Sequence, residues 1–507
     1  MLRYLPPKPN LEHLKKQAKE LLDDYTRHEA GAVARFRALK SRPAEPARLA
    51  DAQHVIAREY GFTNWAKLKE HVEWLNADPA QALVMSIKTN DPTRARQVLE
   101  RYPELKSKLN DPLPGLDFDN TALVAATPWA NREMIELLLA SGANINQKSH
   151  WWAGGFGVLD VAARSDRPAW LAPYLIERGA IVDVHAAVQL RMLGKLNELI
   201  SSNPELVHAR GGDGQTPLHV VPTIETAEYL LDRGADIDAL DIDHESTPAQ
   251  YMVRERQEVA RYLVRRGCKT DILMAAALGD MDLVRKHVEV DPKCLWMNVS
   301  EEYFPKRNPR AGGTIYIWCL GAHKTAHLVA REFGHEEIFH FLMDRTPPEL
   351  KLALACELGD ESLFRSLMES RPNLVETLSA TEYRKIADAA QSNNTQAVRL
   401  MAAAGWPVDF PGQHGLSPLH WAAWHGNAEM VRHLLRYGAS LESRGNEWDI
   451  TPLTSALHGS EHGWHKDTGD YPGTVEALLQ AGAKAPKLTD DLEASDAARA
   501  VLRRYQA

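Results

Sequence analysis

The 507-residue sequence predicts an all-α fold, a solenoid of helix-turn-helix repeats with short β-hairpins that follows an N-terminal helical domain. Two observations lead to this prediction. Leucine and alanine recur at helical spacing through the first part of the chain, and similar segments follow one another from residue 78 onward. We count about twelve such repeats, including weak copies, and an array of this kind lengthens by stacking.

Residues 1–76 predict three or four short helices. Asn10 is a suitable N-cap for the first helix, LEHLKKQAKELLDDYTRHE, and Asn64 for the last, WAKLKEHVEWL. Between them we expect a helix over 32–39 that prolines end, and another from Leu49 to a glycine stop. We expect this bundle to cover the open end of the repeat array, because terminal repeats need a polar cover.

The clearest repeated unit is GLSPLHWAAWHGNAEMVRHLLRYGASLESRGN at 415–446, and similar units occur at 214–241 and 120–148. In the unit at 214–241, Thr216 is expected to cap the first helix and Pro217 to occupy its first turn. His219 is expected to bond to the backbone of the neighbouring repeat. A glycine then ends the second helix in the left-handed conformation.

These units resemble the ankyrin repeat, in which TPLH opens one helix and LLxxGA closes the next. With LEHLKKQAKELL and AREYGFTNWAKLKEHV at the front, the whole chain is similar to a group of bacterial ankyrin-repeat proteins. The resemblance implies an ankyrin solenoid at 78–486, a C-terminal capping helix at 487–507 and a concave groove as the place where a ligand binds. It implies no particular reaction.

Composition and charge exclude several classes of partner. The net charge is −9, so the repeat array is expected to repel nucleic acid. The sequence has no apolar run of membrane-spanning length and no CxxC pair among its four cysteines. Because MLRYLPPKPN contains no apolar segment, we expect no secretory signal. We therefore expect a cytoplasmic protein with no membrane partner. No motif for a nucleotide, a nucleophilic serine or a calcium ion is present.

Reading the repeats in ankyrin register gives the side chains that should line the groove. They are rich in aromatic, histidine and carboxylate residues, which mark a binding surface more often than a surface that only keeps the protein soluble. The residues that we expect to bind a ligand are Trp129, Trp152, Asp213, Gln215, His244, Arg254, Glu255, Phe333, His414, Trp424, His425, Trp448 and His458.

Two insertions in the first two thirds of the chain break the repeat length. Residues 149–157 place Trp151 and Trp152 in a Gly-rich hairpin, where one of them points outward or both pack against the next hairpin. Residues 296–324 exceed an ankyrin hairpin, and the segment TIYIWCL is partly typical of a strand. We favour a loop that covers a site over a plain β-extension, because long loops on rigid scaffolds often do so.

A third insertion, 457–473, separates the two helices of the last full repeat. The spacing of His462 and His465 resembles a metal-binding pair, and His458 lies one helical turn earlier. A zinc site needs three or four protein ligands in fixed geometry, which histidines in a Gly-rich loop do not provide. We therefore expect hydrogen-bonded loop histidines, with no metal and no other cofactor.

Two functions remain open on the sequence. The first is a binding scaffold that recognises a protein, a peptide or a small polar ligand in its groove, which is the usual role of ankyrin arrays. The second is a carbohydrate-active enzyme resembling a glycoside hydrolase, in which tryptophans stack on sugar rings and the insertions at 296–324 and 457–473 close a pocket. Its candidate catalytic carboxylates are Glu302, Glu332, Glu447 and Asp449.

Overall fold

The computed structural model describes residues 3–6, 8–38, 47–489 and 492–506, and these form 29 α-helices and eight short 3-10 helices. Within these ranges no β-strand occurs. The expected hairpins are turns with three isolated β-bridges, such as the one between Gly155 and Gly212. The chain divides into two compact units, Met1–Thr270 with Phe304–Cys319, and Asp271–Tyr303 with Leu320–Ala507.

The first unit begins with a bundle of four helices. Asn10 accepts hydrogen bonds from two backbone N–H groups of the first helix, and Asn64 accepts one from the fourth, as the sequence predicts. The predicted end of the second helix, at residue 39, lies outside the described residues. These helices are α1 (Leu11–Thr26), α2 (Ala30–Arg37), α3 (Leu49–Glu59) and α4 (Trp65–Asn76).

This bundle packs directly on the first helix pair of the repeats. The indole N–H of Trp74 donates to the Ser86 hydroxyl at 3.1 Å, and Arg94 pairs with Glu70 at 2.8 Å. A role as a cap stays a prediction. The helices that follow in the first unit are α5 (Pro79–Lys88), α6 (Pro92–Arg101), α7 (Ala122–Ala126), α8 (Arg132–Ala140), α9 (Val158–Ala162), α10 (Leu171–Glu177), α11 (Val184–Gln189), α12 (Leu193–Ser202), α13 (Ile224–Leu231), α14 (Pro248–Met252) and α15 (Gln257–Arg265).

The second unit also consists of helix pairs, and one of its apolar clusters runs from Leu352 to Leu502. The number of about twelve repeats stays a prediction from the sequence. The remaining helices are α16 (Ile272–Leu278), α17 (Met281–Val290), α18 (Tyr316–Cys319, in the first unit), α19 (Ala326–Glu332), α20 (Glu336–Arg345), α21 (Pro348–Leu358), α22 (Glu361–Ser370), α23 (Ala380–Gln391), α24 (Thr395–Ala404), α25 (Pro418–Trp424), α26 (Ala428–Arg436), α27 (Pro452–His462), α28 (Tyr471–Gln480) and α29 (Asp496–Gln506).

The TPLH segments act as the sequence predicts. Nε2 of His219 donates to the Ser246 carbonyl at 3.0 Å, while its Nδ1 accepts from the Thr216 N–H at 3.1 Å. His420 makes the same pair of bonds, to the Ile450 carbonyl and from the Ser417 N–H. Each histidine therefore links the first turn of its own helix to the backbone of the following repeat. Burial lowers the pKa of His219 to about 3.

The insertion at 296–324 differs from its predicted form. The segment TIYIWCL contains the short helix α18 in place of a strand, because the N–H groups of Ile317 and Trp318 bond to carbonyls three residues earlier. Those groups are therefore not available to a neighbouring strand. Phe304–Cys319 belongs to the first unit, where it lies over the turn that contains Asp243.

Candidate functional site

Helices α25 and α27 of the second unit pass close to one another because of two glycines. A Cβ atom on Gly459 would lie 2.5 Å from the Trp424 carbonyl oxygen, and one on Gly463 would lie 2.6 Å from the Tyr471 hydroxyl. That hydroxyl donates to the Trp424 carbonyl at 2.8 Å and closes the end of α25. The glycines of the third insertion thus allow a longer α27, which carries His458 and His462 beside the tryptophans of α25.

A large cavity of about 760 Å³ lies between these helices and their hairpins. We call it the aromatic cavity. Trp421 and Trp464 stack with their ring centroids 6.0 Å apart, and Trp424 meets Trp464 edge to face at 6.3 Å. The residues that line the cavity are His414, Leu416, Trp421, Trp424, Trp448, Ile450, Thr454, Ser455, Leu457, His458, Trp464, Thr489, Leu492 and Glu493.

The tryptophans of the cavity differ in exposure. Trp421 is 5% exposed and forms its floor, whereas Trp464 is 65% and Trp448 is 55% exposed. The indole N–H groups of Trp421 and Trp424 are buried and have no hydrogen-bond partner among the described residues. A buried donor without an acceptor costs about 1–3 kcal/mol, and a ligand that supplies an acceptor after a small side-chain movement recovers part of that cost.

Four of the residues predicted to bind a ligand come together here: His414, Trp424, Trp448 and His458. Binding by them stays a prediction. His425 does not face the aromatic cavity; it is only 2% exposed, and its Nε2 donates to the Gln391 carbonyl at 2.8 Å. Consecutive side chains on a helix point about 100° apart. The prediction that Trp424 and His425 both face the groove was therefore wrong for His425.

At the edge of the aromatic cavity, Glu493 lies against two histidines of α27. Its carboxylate is 2.7 Å from Nδ1 of His458 and 3.6 Å from Nε2 of His462. The segment before α29 reaches this place because the Ser495 N–H donates to the Ser460 hydroxyl at 2.8 Å. We call His458, His462 and Glu493 the exposed cluster.

A second group of imidazole and carboxylate side chains lies in the first unit. Nε2 of His244 is 3.9 Å from the Asp213 carboxylate and 3.7 Å from that of Asp243, and all three side chains are largely buried. Nδ1 of the same ring donates to the Gly313 carbonyl at 2.9 Å, and the Gly312 N–H donates to the Asp243 carbonyl at 2.8 Å. We call Asp213, Asp243 and His244 the buried cluster.

The buried cluster holds the insertion in place. The Ser246 hydroxyl accepts from the Ile315 N–H at 3.0 Å, and the Glu245 carboxylate accepts from two further N–H groups of the insertion. Burial, reinforced by the charges of Asp243 and Asp241, raises the pKa of Asp213 to about 6, although His244 opposes the rise. Burial also raises the pKa of the nearby Tyr251 hydroxyl.

The other predicted residues of the first unit lie around this cluster or apart from it. Trp151 donates its indole N–H to Asp213 at 3.1 Å, and the guanidinium of Arg310 lies 4.7 Å from the ring of Trp152. Both tryptophans are thus engaged by the protein itself. Arg254 donates to the Cys319 carbonyl.

Three more predicted residues of the first unit have other surroundings. Trp129 is exposed at the end of a 3-10 helix, and Glu255 is exposed in the turn between α14 and α15. The backbone carbonyl of Gln215 accepts from His185 at 2.9 Å. In the second unit, Phe333 is half-buried directly after α19.

The four carboxylates of the enzyme hypothesis do not form a pair at this site. None of them is among the described residues that line the aromatic cavity. Glu332 pairs with Lys324, Glu447 accepts from His414 at 2.9 Å, and Asp449 lies 3.4 Å from Arg444. Glu302 is exposed in a turn. The geometry gives a glycoside hydrolase no support.

Three residues of the site were missed on the sequence. Trp421 could have been found, since it lies three residues before Trp424 and therefore on the same face of α25. Trp464 lies in the third insertion, and its contact with the tryptophans of α25 depends on the path of that loop, which spacing does not predict. Glu493 carries no local signal, because it lies far along the chain from His458 and a contact between Ser460 and Ser495 helps to bring the two together.

Comparison with protein families agrees with the repeat pattern. The family described as "Ankyrin repeats (3 copies)" matches residues 352–445, and the one described as "Ankyrin repeat" matches 118–150 and 213–242. The first match includes α25 with its tryptophans and ends before α27. In a separate observation, none of the helices in the described ranges combines the length and apolarity needed to cross a membrane.

Two curated proteins are similar over short stretches. The palmitoyltransferase Hip14 of Drosophila melanogaster is 31% identical over 105 residues, which is 21% of this chain and 15% of that protein. The calmodulin-binding transcription activator CBT of Oryza sativa subsp. japonica is 46% identical over 103 residues, or 20% of this chain and 11% of that protein. A bacterial origin therefore stays a prediction. The chain contains ankyrin repeats, in both of its compact units.

Proposed function

We propose that the chain is a binding scaffold and that the aromatic cavity recognises a peptide segment of a partner protein. The observation that carries this proposal is the group of four tryptophans around a cavity of about 760 Å³. This volume is within the range of about 300–1,000 Å³ that is usual for ligand pockets. Tryptophan is also the residue most enriched among side chains that dominate protein–protein binding energy.

The chemistry of the cavity favours an extended segment with a large apolar side chain. Eight of the fourteen described residues that line it are leucine, isoleucine or tryptophan, and the other six have polar side chains. A peptide also supplies backbone carbonyls, which are the acceptors that the buried indole N–H groups lack. The ankyrin repeats support the same reading, since arrays of this kind serve as interaction surfaces. A cytoplasmic location and the lack of a nucleic-acid partner remain predictions from composition.

The experiment is a selection of displayed random peptides on the full chain. We expect peptides that share a large apolar side chain, and we expect Trp464→Ala to weaken their binding by about 2 kcal/mol, or roughly 30-fold. Trp464 is suited to this test because it is exposed, so its removal leaves the core intact. Trp318→Ala is the matched control, because it removes an exposed tryptophan that does not line the aromatic cavity.

Two outcomes would overturn the proposal. One is a selection that yields no peptide distinguishing the wild type from the Trp464→Ala variant. The other is that small sugars bind at the tryptophans, as measured by intrinsic fluorescence, and that no peptide competes with them for this site. That second result would establish the small polar ligand that the sequence left open.

A further inference from the structure

We propose that the exposed cluster, His458, His462 and Glu493, is a binding site for a divalent transition metal, with Zn²⁺ as the best-suited ion. This proposal does not depend on peptide binding. The metal-ligating atoms of the three side chains lie within 4.8 Å of one another. From the sequence alone we expect no metal, because a loop holds histidines in no fixed geometry, but His458 and His462 lie on helix α27.

The helix supplies the first half of the geometry. His458 and His462 are four residues apart on α27, so they lie on one face, and their ring centroids are 4.6 Å apart. Two imidazoles at this spacing are the usual helical part of a zinc site.

The chain after α28 supplies the third ligand. The bond from the Ser495 N–H to Ser460 fixes the segment that carries Glu493 onto the middle of α27. The Glu493 carboxylate then reaches both imidazoles, at 2.7 Å and 3.6 Å. Three protein ligands of this kind leave at least one coordination position for water or a bound ligand, as in functional zinc sites.

The ligand set also selects the ion. Two imidazoles and one carboxylate suit Zn²⁺ and its neighbours, whereas Mg²⁺ and Ca²⁺ prefer oxygen ligands throughout. A plain ion pair is the alternative, but these side chains are 47%, 51% and 61% exposed. Ion pairs at such exposure contribute about 0–1 kcal/mol, which gives little reason to gather three side chains in one place.

The position of the cluster connects the metal to the aromatic cavity. His458 and Glu493 both line that cavity, and the His458 ring lies 5.6 Å from the Trp424 ring. A metal bound here would therefore present its open coordination position at the cavity edge. A ligand in the cavity could complete the coordination with a carboxylate or an imidazole of its own.

The experiment is a calorimetric titration of Zn²⁺ into the chelator-treated full chain. We expect one tight site in the wild type, and a loss of at least about 10–100-fold in affinity in His462→Ala and in Glu493→Gln. Glu461→Gln is the matched control, because it removes an exposed carboxylate of the same helix that is not part of the cluster. We expect its titration to match that of the wild type.

A second measurement identifies the ligands and keeps the test independent of folding. Co²⁺ added in place of Zn²⁺ should give visible bands without a sulfur charge-transfer band, and excess Mg²⁺ should not remove them. A sulfur band would assign the metal to a cysteine and overturn the proposal. Unchanged Zn²⁺ affinity in the His462→Ala variant, or a wild-type titration no tighter than that of a His458→Ala, His462→Ala double variant, would also overturn it.

Discussion

The buried cluster of the first unit and the exposed cluster of the second contain the same kinds of side chain in different surroundings. In the buried cluster, every group is used by the chain itself: His244 donates to Gly313, Asp213 accepts from Trp151, and Asp243 accepts from Gly312. In the exposed cluster, the imidazoles contact one carboxylate beside a large cavity.

The comparison shows that proximity of metal-binding side chains does not by itself define a site. The two clusters differ in what their hydrogen-bonding atoms contact. In the buried cluster these atoms bond to the backbone of the insertion, which explains why a repeat protein carries charged groups in its interior. In the exposed cluster the imidazole and carboxylate atoms lie at the edge of a cavity lined with tryptophan. We therefore assign a structural role to the first and a binding role to the second.

The largest expected effect concerns the frame beneath the exposed cluster. Leu434 of α26 is fully buried in the core that supports α25 and α28. We expect Leu434→Ala to lower the free energy of unfolding by about 2–5 kcal/mol, as for other large-to-small core substitutions. Urea denaturation followed by far-UV circular dichroism measures this change. A cost below that range would place the stability of the second unit outside this core.

The next effect tests the structural role of the buried cluster. His244→Ala removes the hydrogen-bond donor to the Gly313 carbonyl, and with it one of the contacts that hold the insertion in place. We expect a loss of about 1–3 kcal/mol in the free energy of unfolding, because a buried acceptor is left unsatisfied. Hydrogen exchange of residues 304–319 should also accelerate. Unchanged stability and unchanged exchange would show that the insertion is held by other contacts.

A smaller effect depends on pH. The pKa of Asp213 is raised to about 6 in the folded chain and is lower in the unfolded chain, so the folded state binds the extra proton. Its stabilising contribution is present below about pH 4 and is lost as the pH rises through about 6.

Asp213→Asn removes this titration but keeps an acceptor for Trp151. We therefore expect the variant to be more stable than the wild type by about 1–2 kcal/mol above pH 7, and the gain to disappear toward pH 4. Thermal unfolding across this range measures it. A gain that is independent of pH would mean that the Asp213 carboxyl is ionised throughout.

The smallest effect is expected at the exposed cluster itself. Without metal, His458→Ala should change the free energy of unfolding by less than about 0.5 kcal/mol, because the side chain is exposed and its ion pair is screened by water. Denaturation in the presence of a chelator measures this. A loss of more than 2 kcal/mol in the free energy of unfolding would show that the exposed cluster has a structural role, like the buried cluster.

The sequence predicted the helical fold, the N-caps Asn10 and Asn64, and the bonding of the TPLH histidines, because each of these depends on short-range spacing. The repeat register also predicted that His414, Trp424, Trp448 and His458 line the groove. The sequence-based prediction was wrong where an insertion interrupts the repeat register. The strand expected in TIYIWCL is a helix, since its N–H groups bond within the segment.

The candidate site was predicted only in part for a related reason. His425 was assigned to the groove with Trp424, although adjacent helical positions face different directions. The histidines of 457–473 were read as loop residues because glycines surround them. Those glycines are instead required by the close approach of α27 to α25, which no spacing rule reveals. Glu493 joins the cluster through a contact between distant parts of the chain.

The most direct test of the contrast between the two clusters is an anomalous diffraction map at the zinc absorption edge, from crystals of the full chain grown with one equivalent of Zn²⁺. We predict one peak, within bonding distance of His458, His462 and Glu493. A peak at Asp213, Asp243 and His244 instead, or no peak at the exposed cluster, would contradict the assignment of a binding role to the exposed cluster.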